Sequence, residues 1–217
     1  MIWSRIFGSR SKRAADTDRP APQTTPWAEP FNATPAVAAP VVGADVRRYF
    51  HNGRGSQCYT SWFAHWDGWI SAGHCVTDTG GHLPTFASGE TVSWPDGLDA
   101  ALVGCTLPAR KPAAPRIGQA VTMIGYPAGS RNAERREATI YHERMPGQWI
   151  AHISEPDEPV VTGMSGGAVI DTATGQPVGI IITRNSPADL DNDRDPDESA
   201  DFIALSAVWD AVRKGSV

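Results

Sequence analysis

Beyond residue 41 the chain alternates short apolar runs with gaps marked by Gly and Pro. The runs at 46–50, 57–65, 69–72, 101–105, 120–124, 139–142, 160–161, 168–170, 178–183 and 202–205 have strand length and are bounded by turn residues. Only 206–214 reads as a helix: Ser206 is placed to cap it, Ala207, Val208 and Ala211 are its apolar positions, and Arg213, Lys214 and Gly215 close it where the helix dipole favours positive charge. The pattern predicts an all-β domain with a C-terminal α-helix. Residues 1–40 are a different material. Between Ala14 and Pro40 lie six Pro and eight Ala with little periodicity, a composition that favours solvated, extended backbone and predicts a disordered leader.

Composition sharpens this division. The 217 residues include 21 Gly, 18 Pro and 8 Trp, which suits short strands and many turns, and the length allows one substantial domain or two small ones. The formal net charge of -5 conceals an asymmetry, since residues 1–40 carry five basic and three acidic side chains and the remainder is acidic. An acidic domain lacks the basic surface that displaces counterions from phosphates, so nucleic acid is not an expected partner. No apolar run is long enough to cross a bilayer, and no transmembrane segment is expected. Residues 1–13 combine Ile2, Trp3, Ile6 and Phe7 with four basic side chains, which fits a weak membrane-surface or partner contact and also fits a frayed basic terminus. Ser4 and Arg5 break that stretch, so it does not read as a secretory signal.

Three segments carry candidate chemistry. In 68–75 (GWISAGHC) an apolar strand runs into a small-residue turn that ends on His74, and a histidine held at a strand exit can serve as a general base. In 97–103 (GLDAALV) Asp99 opens an apolar run, where a desolvated carboxylate needs a donor such as an imidazole N–H. In 162–170 (TGMSGGAVI) Ser165 sits in a glycine-rich turn whose backbone can aim two N–H groups at one point beside a hydroxyl. Asp96 competes with Asp99, but Pro95-Asp96-Gly97 has the composition of a turn. Each segment alone also fits an ordinary structural role. Together, in the order His, Asp, Ser, they point to nucleophilic catalysis.

These segments resemble the trypsin-like (chymotrypsin-fold) serine endopeptidases over residues 41–217. The resemblance implies two six-stranded β-barrels, divided near 107–117, with His74, Asp99 and Ser165 as a catalytic triad. It further implies an oxyanion hole from the backbone N–H groups of Gly163 and Ser165, worth on the order of 3 kcal/mol per donor. A disulfide between Cys58 and Cys75 is also implied, worth roughly 3 kcal/mol if formed. Within the family, 118–129 (GQAVTMIGYPAG) and the compact spacing, 25 residues from His74 to Asp99 and 66 from there to Ser165, are similar to bacterial high-temperature-requirement and glutamyl-endopeptidase-type members. The implied substrate is a protein or peptide, with no cofactor and no metal. Cys105 has no evident partner and reads as a small hydrophobe. A double barrel kept as a catalytically idle peptide-binding adaptor is the alternative. Its signature would be a lost triad residue, and none is lost.

Departures from the family limit what carries over. Met164 stands where trypsin has an aspartate that pairs with a new N-terminus, so truncation to about Val41 is expected to leave peptidase activity intact, measured on any cleavable peptide. Pro159 stands where trypsin has its specificity aspartate, and Ile181 where glutamyl endopeptidases have a histidine, so neither specificity is expected; small or apolar side chains are favoured instead. The seven acids at 189, 191, 193, 195, 197, 198 and 201 lack the Gly and Glu positions of an EF-hand and read as a solvated acidic loop. The compartment stays open: no cleavable signal is visible, whereas the implied bridge favours an oxidising setting.

Overall fold

The computed structural model describes residues 44–53, 56–87, 89, 91–128, 130–155, 158–185 and 199–215, with backbone alone at 51–53, 56–58, 184 and 185. The leader 1–40 and the acidic segment 189–198 lie outside the described residues. The chain forms two β assemblies in sequence. The first is a five-stranded sheet in the order β1 (Val46–Gly53), β2 (Ser56–His65), β3 (Gly68–Ser71), β5 (Ala101–Val103) and β4 (Val92–Ser93). The second is a closed barrel in the order β10 (Pro177–Asn185), β11 (Ser199–Ala204), β8 (Gln148–Ile153), β7 (Glu134–Met145), β6 (Ala120–Gly125) and β9 (Ala168–Asp171). The first half is therefore an open sheet among the described residues, where six strands closed on themselves are expected from the resemblance.

Side-chain alternation explains how two cores arise from one set of strands. One face of the β1–β2 ladder carries Trp62, which packs with Val76, Ala87, Ala101 and Val103 inside the first sheet. The other face carries Val46 and Phe63, which join Ile124, Ile170, Ile180, Ile203 and Leu205 in a core shared by both assemblies. The barrel interior is filled separately by Met123, Ile140, Met164, Ile181 and Phe202. Helix α2 (Leu205–Gly215) seals the shared core through Leu205 and Val208. Its Trp209 indole donates to the Pro108 carbonyl at 2.9 Å, tying the helix to the strand-free stretch between β5 and β6.

Further expectations change. Residues 73–78 form a second helix, α1 (Gly73–Asp78), where a turn ending on His74 is expected and 206–214 is the one helix predicted. Residues 160–161 form no strand, because the Val161 carbonyl accepts the Met164 N–H at 3.1 Å and the chain turns instead of pairing. β8 is a full strand that Gln148 and His152 obscure in the sequence by interrupting its apolar residues; it pairs with both β7 and β11. α2 begins one residue before Ser206, so Ser206 lies buried in its first turn and does not cap it. No helix among the described residues is long and apolar enough to cross a membrane.

Candidate active site

Antiparallel pairing of β3 with β5 sets Ser71 opposite Ala101, so the exit of β3 lies beside the entrance of β5. His74 follows that exit as the second residue of a six-residue helix, α1 (Gly73–Asp78), and Asp99 precedes that entrance. The two meet at two points: His74 Nδ1 lies 2.6 Å from Asp99 Oδ2, and the His74 backbone N–H donates to Asp99 Oδ1 at 2.8 Å. One oxygen thus holds the ring through Nδ1 and the other holds the backbone. The Ala100 N–H donates to the Leu98 carbonyl at 2.9 Å, folding the chain tightly around Asp99. Gly73 is required here, since a Cβ would stand 2.9 Å from Asp99 Oδ1.

Ser165 is carried by the turn between Val160 and β9. Met164, fully buried among barrel residues, anchors the turn from below. The Ser165 hydroxyl donates to the Ile182 carbonyl at 3.1 Å, which seats it against β10. On the other side the Ser61 N–H donates to the Ser165 carbonyl at 3.0 Å, and the Ser61 hydroxyl donates to the Gly163 carbonyl at 2.7 Å. Among the described residues the N–H groups of Gly163 and Ser165 enter no backbone hydrogen bond.

Glycine is demanded twice in this turn. Gly163 has φ +97°, and a Cβ would stand 2.6 Å from the Tyr126 carbonyl oxygen. Gly166 has φ +83°, and a Cβ would overlap the Ser71 hydroxyl and the Ser61 carbonyl. Gly166 is thus what lets the serine turn close onto the β3 exit that leads to His74. Gly166→Ala is expected to destabilise the fold by about 3 kcal/mol, because both neighbours belong to β-ladders and cannot yield. A denaturant titration checks this, and an unchanged midpoint would contradict the packing described.

The electrostatics follow from these contacts. The Asp99 hydrogen bond, and after it the Cys75 thiol, raises the His74 pKa well above the ordinary 6.5, against the opposing effect of burial. Burial pushes the Asp99 carboxyl upward, but the hydrogen bonds from the His74 ring and backbone outweigh it and hold the pKa below 3.8. Both groups favour the imidazolium–carboxylate pair. The histidine contribution to stability is complete below pH 6.5 and fades as the pH rises through the folded-state value; the aspartate contribution is present above 3.8 and is lost on acidification.

The implied Cys58–Cys75 bridge is not formed. Cys75 is a buried free thiol whose Sγ donates to the Ser165 carbonyl at 3.4 Å. The Ser61 N–H donates to the same oxygen. Cys105 is also free; burial raises its pKa to about 11, and its thiol donates to the carbonyls of His65 and Trp69. Ser61 is the contributor that sequence reasoning missed. Its only signal is a polar residue inside the apolar run 61–64, and that residue is fully buried. Of the specificity positions, Pro159 accepts a hydrogen bond from Arg136 Nε at 3.0 Å through its carbonyl, and Ile181 is fully buried in the barrel.

Comparison with known proteins places this geometry. Residues 59–180 match the sequence profile of the trypsin-like peptidase domain. No curated protein matches in sequence. Among solved structures, the active form of the Rv3671c protease from M. tuberculosis superposes with a TM-score of 0.52 at 19% identity, over 90% of this chain and 92% of that one. The serine endoprotease from Yersinia pestis gives 0.53 at 16% identity, over 78% of this chain and 61% of that one. The human heparin binding protein gives 0.55 at 13% identity, over 82% and 93% respectively. These likenesses are of fold. The profile match spans more than half of the chain, from β2 through the Ser165 turn to β10, and on that ground the protein belongs to the trypsin-like peptidase family.

Proposed function

We propose that the protein is a serine endopeptidase in which Ser165, His74 and Asp99 act as a triad. The observation that carries this reading is the pair of hydrogen bonds that Asp99 accepts from His74, one oxygen from the ring and one from the backbone. That arrangement fixes the tautomer with Nδ1–H toward Asp99 and Nε2 as the base. Ser165 Oγ attacks the peptide carbonyl carbon while Nε2 takes its proton. The resulting oxyanion is stabilised by the N–H groups of Gly163 and Ser165. Collapse breaks the C–N bond as the imidazolium returns its proton to the leaving amine, leaving an acyl-enzyme that water hydrolyses by the same route in reverse order of roles. The hydrogen bond of Ser165 to Ile182 is no obstacle, since rotation about one side-chain bond redirects the hydroxyl, and catalytic hydrogen bonds commonly tighten only when substrate is bound.

Labelling with a fluorophosphonate, followed by mass-spectrometric mapping, tests this. A single adduct on Ser165 is the expected result. A folded protein that stays unlabelled would favour the idle adaptor.

A further inference from the structure

On the assumption that the triad reading above holds, we propose that Phe50 and Tyr59 select an aromatic side chain at the second residue beyond the scissile bond of the substrate. The register of β1 with β2 sets Arg48 opposite Ser61 and Phe50 opposite Tyr59, so all four lie on one face of the ribbon. This is the face that meets the serine turn, because Ser61 bonds both Gly163 and Ser165. His74, which must protonate the leaving amine, hangs from the same sheet, whereas Ile182 on β10 forms the opposite wall beside Ser165. The segment that departs as amine therefore lies over the β1–β2 ribbon.

Its reach follows from strand geometry. Ser61 is level with Ser165, and Tyr59 and Phe50 stand two residues farther along, roughly 7 Å at the rise of a strand. An extended substrate advances by the same rise, which brings its second residue past the cut onto this pair. The pair is built to receive a ring. Phe50 and Tyr59 have ring centroids 5.0 Å apart at 42°, and the Arg48 guanidinium stands 5.7 Å from the Tyr59 ring. Arg48 also donates to the Ser130 carbonyl, which ties the β6–β7 loop to the ribbon and engages the guanidinium. Phe50 keeps 42% of its surface exposed. A substrate ring can pack on it edge to face.

Cleavage of a synthetic peptide library randomised on both sides of the cut, with cut sites read by mass spectrometry, tests the assignment. The wild-type protein is expected to enrich Phe, Tyr and Trp at the second departing residue by about fivefold. Phe50→Ala should return that position to library frequencies and Phe50→Tyr should retain the enrichment, with preferences before the cut unchanged. Fluorophosphonate labelling of Phe50→Ala should proceed at the wild-type rate, since the probe carries no departing segment. Cuts by the wild type without aromatic enrichment, or enrichment that survives in Phe50→Ala, would overturn the assignment while leaving the peptidase reading intact. A wild type that neither cuts nor labels would overturn both.

Discussion

Ser165→Ala is expected to lower turnover of a cleavable peptide by roughly five to six orders of magnitude while the protein stays folded. The size follows from the role: without Oγ no acyl-enzyme forms, and only binding and the Gly163 and Ser165 N–H donors remain to assist water. The fold should tolerate the change, because Ser165 contributes one side-chain hydrogen bond, to Ile182, whose loss costs about 1 kcal/mol. Its backbone bond from Ser61 persists. Turnover measured alongside a thermal melt separates the two effects. A folded variant that kept a tenth of the activity would remove Ser165 from the mechanism.

Asp99→Asn is expected to lower kcat/KM by about four orders of magnitude near neutral pH. An amide in place of the carboxylate offers an N–H to Nδ1, so the imidazole takes the tautomer with its proton on Nε2, where it cannot accept one from Ser165. The same substitution should move the pH profile, and the direction follows from the electrostatics. Catalysis needs neutral His74, whose pKa the Asp99 hydrogen bond holds above 6.5, so wild-type kcat/KM should climb with pH through and beyond neutrality. Removing the carboxylate lowers that pKa and shifts the acid limb to lower pH. Bound substrate works in the same direction. The His74 side chain is 37% exposed, and covering it disfavours the cation, which brings the neutral base within reach at the working pH. An acid limb that stays in place in Asp99→Asn would mean that another group controls it.

The parts of the site that could be read in advance are those in which a residue type and its immediate neighbours state the chemistry. His74 after a small-residue turn, Asp99 before an apolar strand and Ser165 among glycines each announce a backbone constraint together with a reactive group. Ser61 announces nothing comparable. Its hydroxyl accepts the Tyr126 N–H at 2.8 Å and donates to Gly163, contacts across 65 and 102 residues that no local pattern encodes. The bridge between Cys58 and Cys75 fails for a related reason. Cysteine count and likeness to a family suggest a pair, but Cys75 is a free thiol whose Sγ donates to the Ser165 carbonyl, a contact across 90 residues.

Strand length and turn composition, acting within a few residues, determined by themselves that this chain builds β structure closed by a helix. Tertiary structure decided which edges meet. Register between strands far apart in sequence set Ser71 beside Ala101, Ser61 beside the serine turn, and Phe50 beside Tyr59. A shift of one residue in any ladder would turn every side chain of that strand to the opposite face. The outcome is therefore settled by the packing of Val46, Phe63 and Ile170 in the shared core, where burial selects one register among those that local pattern alone allows.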